Sequence, residues 1–165
     1  MEVIKNNKGL VDYCKAQLGR PYWYGTFGQM ASESLYDQKR RQYPRMYAST
    51  DYPSQYGMKV HDCVGLIKGY MWCSDADDTH PVYMKNGFPD VSADTLYAKC
   101  KRKSAVMATM PDVPGVAVFM RGHVGVYVGN GEVIEARGHA YGVVKTRLKE
   151  RRWQKWAYLD WIEYS

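Results

Sequence analysis

Apolar positions in the first hundred residues recur with a helical period, and those in the last fifty alternate. Residues 8–18 place Leu10, Val11, Cys14 and Leu18 on one stripe, and Gly19 is a stop just beyond them. The aromatic, glycine-rich segment that follows, around residues 20–29, reads as a loop. Residues 31–57 carry Tyr36, Tyr43, Tyr47, Tyr52 and Tyr56 among polar residues; the stretch starts as a helix and loses its period after Pro44. It is long for a connection, as functional loops often are. Residues 63–73 predict a buried helix with Leu66, Ile67, Tyr70 and Met71 on one face and Asp62 as N-cap. Residues 74–90 are turn-rich, and residues 91–103 predict a second helix on Val91, Leu96, Tyr97 and Cys100.

From Pro114 the pattern becomes that of strands: PGVAVFM, HVGVYVG, EVIEA, GVVKTRL and WAYLDWIEY. Helices followed by a sheet indicate an α+β fold. With no repeat, linker or low-complexity tail, residues 1–165 read as one domain.

The hairpin through Gly129, Asn130 and Gly131 carries the first candidate chemistry. A three-residue loop would pair Val128 with Glu132, Val126 with Ile134, and Gly125 with Glu135. Val124, Val126, Val128, Ile134 and Ala136 then share an apolar face; His123, Gly125, Tyr127, Glu135 and Arg137 share the other. Glu135 would reach His123 across Gly125, which has no side chain to block it, and fix the imidazole tautomer. At the start of the 63–73 helix, Cys63 would feel the positive end of the helix dipole, which favours thiolate. Cys63 and His123 are therefore candidates for a thiol–imidazole pair, although isolated cysteines and histidines are more often structural. His61 competes as base but is expected to point away from the thiol. His139 competes with Glu135 as the group orienting His123, Arg137 competes for Glu135, and His80 is assigned nothing.

Composition narrows the classes. Hydrophobic residues are 45% and charged residues 24% of the chain, ordinary for a globular protein, and no apolar run approaches a membrane span. The N-terminal residues are too polar for a secretory signal, so the expectation is synthesis in the cytoplasm. The net charge of +6 suits a polyanionic partner, but the basic runs at 39–45, 99–103 and 145–152 read as solvated faces. No zinc-finger spacing, RNP-like motif or helix-turn-helix signature is present, so neither metal nor nucleic acid is expected. Cys14, Cys73 and Cys100 read as structural or incidental thiols.

Three blocks together carry a family likeness: Gly-Arg-Pro-Tyr-Trp-Tyr-Gly at 19–25, His-Asp-Cys-Val-Gly-Leu-Ile at 61–67, and the hairpin segment at 122–136. In that order they resemble the NlpC-type cell-wall cysteine peptidases, and the chain as a whole is similar to catalytic domains of phage or prophage lysins. The resemblance implies a papain-like arrangement of N-terminal helices on a central antiparallel sheet. It implies cleavage of peptidoglycan stem peptides, at the γ-D-glutamyl–diamino acid bond or as an amidase or transpeptidase. Cys63 takes the nucleophile position, His123 the base, and Glu135 the third position, where histidine is usual. Tyr22, Asp62 and Tyr24 fall on the substrate and oxyanion side. Val64 departs from the common serine. No cofactor, membrane insertion or nucleic acid is implied; the partner is bacterial peptidoglycan, reached after release or lysis. A non-catalytic wall-binding module is the rival of another class.

Overall fold

The computed structural model describes residues 4–165. Its elements in chain order are α1 (Asn7–Ala16), β1 (Phe27–Met30), α2 (Glu33–Gln42), β2 (Lys59–His61), α3 (Gly65–Trp72), α4 (Ala93–Lys99), β3 (Lys103–Ser104), β4 (Ala117–Met120), β5 (His123–Gly129), β6 (Glu132–Ala136), β7 (Val143–Arg147) and β8 (Lys155–Ala157). Six strands form an antiparallel sheet in the order β3-β8-β4-β5-β6-β7, and β1 pairs with β2 in a separate two-stranded ribbon.

The helices form where the periodicity places them, with side-chain caps at their starts. Asn6 accepts the Gly9 N–H, Ser32 the Leu35 N–H, and Ser92 the Thr95 N–H. Helix α1 ends before Gly19, whose φ of +86° only glycine adopts without strain. One face of the large sheet packs on α1, α3 and α4: Leu10, Leu66, Ile67 and Leu96 meet Val124, Val126, Ile134 and Ala136, all buried. Burying each such side chain contributes about 1.5–3 kcal/mol. The opposite face is also covered, by a smaller cluster of Val118, Tyr127, Val133 and Trp153.

The tyrosine-rich segment does not lie on the main core. Tyr47, Tyr52, Ala31 and Val60 bury a second cluster around Trp23. The Trp23 ring meets Tyr36, Tyr47, Tyr52 and Tyr56 edge-on, at centroid distances of 5.2–6.3 Å. Each such pair adds about 0.5–1.5 kcal/mol beyond area burial, so this stretch is an ordered annex rather than a loose loop.

Several expectations are corrected. Residues 27–29, read as loop, belong to strand β1, hidden because Gly28 has φ +112° and the β1–β2 ladder is irregular. The helix expected over 91–103 stops at Lys99, and residues 103–104 pair with β8. WAYLDWIEY supplies strand only through Ala157; Tyr164 instead folds back, its hydroxyl donating to Gly115 O and accepting from Leu159 N–H. The hairpin loop is two residues, Asn130-Gly131, both with positive φ, rather than three. Gly129 pairs with Glu132, and an irregularity between Tyr127 and Gly129 absorbs the extra residue. Val126 still meets Ile134, so the two faces stay as the alternation assigns them.

Candidate active site

Asp62 builds the turn that carries Cys63, the candidate nucleophile. Its Oδ1 accepts the Gly65 N–H at 2.6 Å and its Oδ2 the Gly25 N–H at 3.0 Å, while its carbonyl accepts the Leu66 N–H. One carboxylate thus caps α3 and ties it to the Tyr24-Gly25 turn. Regular helix begins at Gly65, two residues later than expected, and Cys63 stands in the turn just before it. Gly65 cannot be larger: a Cβ there would sit 1.9 Å from Thr26 O.

The Cys63 thiol projects onto the start of β5. Its Sγ lies 4.0 Å from Gly122 O, and the Val124 N–H also bears on it, so the sulfur touches the backbone on both sides of His123. The surroundings of the thiol work against the expected thiolate. Burial, then the nearby Asp62 charge, push the thiol up to about 12 and outweigh the backbone N–H groups of Val124 and Val64. Alkylation of Cys63 by iodoacetamide is therefore expected to accelerate steadily from about pH 7 to about pH 10. A rate already level by about pH 6, followed by mass spectrometry, would instead mean a resting thiolate–imidazolium pair.

His123 is held by the partner the hairpin assigns. Its Nε2 lies 2.8 Å from Glu135 Oε1, and its ring stacks on Trp153 at 5.5 Å with planes 16° apart. Glu135 is fully buried and also accepts Arg151 Nε at 3.1 Å, Arg151 Nη2 at 2.7 Å and the Thr146 hydroxyl at 2.6 Å. Burial alone would raise its pKa, but the hydrogen bonds from His123, Arg151 and Thr146 prevail and hold it at about 2. A carboxylate ionised at neutral pH keeps the proton of a neutral imidazole on Nε2 and leaves the Nδ1 lone pair free as a base.

Gly125 plays a different part from the one expected. The space above it is filled by Val133 and Trp153, at 2.7 and 2.9 Å from where a Cβ would be, so the glycine admits the indole that stacks on His123. Arg137 leaves Glu135 alone and lies over the Tyr141 ring at 4.3 Å. His61 is fully buried, bonded through Nε2 to the Tyr13 hydroxyl at 2.7 Å, away from the thiol as expected. His139 stacks on Tyr52 at 4.1 Å, contacts Asp51, and has Nδ1 3.3 Å from Tyr22 O. It fastens the tyrosine-rich annex to the segment at Tyr22, and its ring partners are Tyr52, Asp51 and Tyr22 rather than His123. His80 is exposed.

A cavity of about 360 Å³ opens beside the thiol, lined among others by Tyr22, Tyr24, Asp62, Cys63, Lys39 and Lys68. The Tyr22 phenol is raised well above its ordinary pKa by burial and then by the neighbouring Asp62 and Cys63, so it is a neutral donor. Tyr24 packs edge-on against Tyr43 at 4.8 Å. Lys68 is paired with Asp90 at 2.6 Å. Arg151, Thr146 and Trp153, which complete the His123 site, are not singled out by the sequence pattern. Thr146 alone carries a signal: β7 pairs Val144 with Glu135, so an alternating strand brings residue 146 to the same face. The free thiols Cys14, Cys73 and Cys100 are buried.

Comparison with known proteins agrees with this geometry. No curated protein matches the sequence significantly. Among solved structures, NlpC1 from Trichomonas vaginalis is 17% identical with a TM-score of 0.57, covering 96% of this chain and 46% of that one. The peptidoglycan hydrolase RipB from Mycobacterium tuberculosis is 22% identical with a TM-score of 0.52, covering 96% and 68%. The P60 domain of a Mycobacterium avium subspecies paratuberculosis antigen is 19% identical with a TM-score of 0.55, covering 96% of each. At these identities the likeness is one of fold, and the chain spans about half the length of the two Trichomonas structures it matches. The NlpC/P60 family model matches residues 19–161, nearly the whole chain, a range that includes Cys63, His123 and Glu135. The chain belongs to the NlpC/P60 family, whose members are cysteine peptidases and peptidoglycan hydrolases.

Proposed function

We propose that the chain is a peptidoglycan hydrolase that cuts stem peptides through Cys63 and His123, at the γ-D-glutamyl–diamino acid bond, in the manner of a lysin. One observation carries the reading: the Glu135 carboxylate occupies Nε2 of His123, while the Cys63 sulfur rests on the backbone at both sides of that histidine. The thiol lines the cavity, and the histidine follows Gly122, which also lines it, so nucleophile and base lie on adjoining segments in this reading.

In the proposed mechanism, Cys63 attacks the scissile amide carbonyl as its proton passes to His123 Nδ1. The Cys63 backbone N–H and the Tyr22 hydroxyl stabilise the oxyanion. Collapse expels the amine, which takes the proton from His123, and leaves a thioester on Cys63. Water then attacks the thioester with His123 accepting its proton, and that proton returns to the sulfur as the acid departs. Glu135 touches no substrate; it is a positioning residue that holds the imidazole tautomer and stabilises the imidazolium between steps. Residues 1–165 act as one catalytic domain in this reading, on the wall, after release from the cytoplasm.

The test is digestion of purified Gram-positive peptidoglycan, with the released fragments read by mass spectrometry. A new amine on the diamino acid and a free γ-carboxyl on glutamate would support the endopeptidase. Release of a peptide with a free N-terminal alanine would instead identify an amidase. No release from several wall types, with the protein still bound to them, would replace the enzyme with a wall-binding module.

A further inference from the structure

Lys39 is the exception in the basic run at 39–45, whose Arg40, Arg41 and Arg45 form the expected solvated face. It is the only buried residue of α2, 8% exposed, between the exposed residues Gln38, Arg40 and Arg41. Its side chain turns into the cavity that holds Cys63. A Cβ on Gly25 would lie 3.4 Å from Nζ, which puts the ammonium beside the turn that Asp62 holds against the nucleophile. The Tyr43 ring lies 5.8 Å away and offers only a distant cation–π contact. Lys68, the other cation of the cavity, is satisfied by Asp90. Among the described residues, Lys39 Nζ makes no hydrogen bond or ion pair.

The Lys39 stem is buried while its ammonium still opens onto the cavity, and partial burial lowers the Lys39 pKa, with Asp62 and Asp90 opposing that effect. Both Asp62 oxygens are already committed to the Gly65 and Gly25 N–H groups. An anion is the complement of that charge, and because Cys63 lines the same cavity, a peptide seated on the thiol would bring its flanking groups within reach of Lys39. Resting on the stem-peptide reading above, we propose that Lys39 determines specificity: it binds a carboxylate of the peptide flanking the scissile amide and discriminates against the corresponding carboxamide. A carboxamide oxygen can accept one hydrogen bond from Lys39 but brings no charge to neutralise it. The lost charge-assisted bond is expected to be worth about 10–100-fold in kcat/KM.

The experiment compares a γ-linked D-glutamyl peptide bearing a free α-carboxylate with its α-carboxamide twin. Wild type is expected to prefer the carboxylate by about 10–100-fold, and Lys39→Met to bring the ratio close to one, with thermal melting reporting that the variant folds. The same two peptides are titrated into the Cys63→Ala protein with and without Lys39→Met, where no turnover is needed. Cleavage of neither peptide by wild type would sink the hydrolase reading, yet the titration would still decide the role of Lys39. Tighter binding of the carboxylate that Lys39→Met abolishes supports the proposal. A preference that survives Lys39→Met overturns it, as does equal or unmeasurable binding of the two peptides by Cys63→Ala alone.

Discussion

Cys63→Ala is expected to reduce peptide release from peptidoglycan by at least about 10³-fold while leaving wall binding and melting temperature nearly unchanged. The chemical loss is large because no other thiol faces the cavity: Cys14, Cys73 and Cys100 are buried elsewhere. The structural loss is small because Cys63 is only partly buried and lies outside the regular helix, so removing one sulfur leaves the Asp62 cap and the α3 core intact. His123→Ala should cost a similar factor, and the double variant little more than either, since the proposed nucleophile and base would act as one unit. Release from the Cys63→Ala protein above about a tenth of wild type would place the chemistry on another group.

The part of this site legible in the sequence is the part governed by local periodicity. Strand alternation alone puts His123 and Glu135 on one face, and it survives an error in loop length because a bulge near Val128 restores the phase. The Asp62 cap is legible because capping is a three-residue affair, closed by the Gly65 N–H. Whatever depends on distant segments is not legible. Arg151 and Trp153 reach His123 and Glu135 from beyond β7, after a short 3₁₀ turn at Leu148–Glu150 that no periodicity announces. Strand β1 needs β2, about thirty residues on, to exist at all. Lys39 looks like one more surface charge until the aromatic annex around Trp23 folds its helix against the cavity. The desolvation of the thiol is likewise a tertiary fact, and it opposes the thiolate that the helix dipole alone favours.

Glu135 is where positioning and stability meet, and two substitutions separate them. Glu135→Gln keeps the shape but gives up the charge that holds His123 in one tautomer. It is expected to lower kcat by about 10²-fold or more with KM little changed, because the group acts on the imidazole and touches no substrate. A rise in KM at constant kcat would argue against a positioning role. Glu135→Ala should also destabilise the fold, by about 3 kcal/mol, since it leaves the Arg151 guanidinium, 20% exposed, without its partner and orphans the Thr146 hydroxyl. The pH dependence has a definite sign. The native carboxyl at about 2 lies below its ordinary 4.5, so its contribution is complete above about pH 4.5 and disappears as pH falls towards 2. At roughly 1.4 kcal/mol per pH unit this amounts to about 3 kcal/mol. Urea unfolding of wild type should therefore weaken steeply across that window. The Glu135→Gln protein, less stable at neutral pH, should lose correspondingly less on acidification, and parallel loss in both would assign the acid sensitivity to other carboxylates.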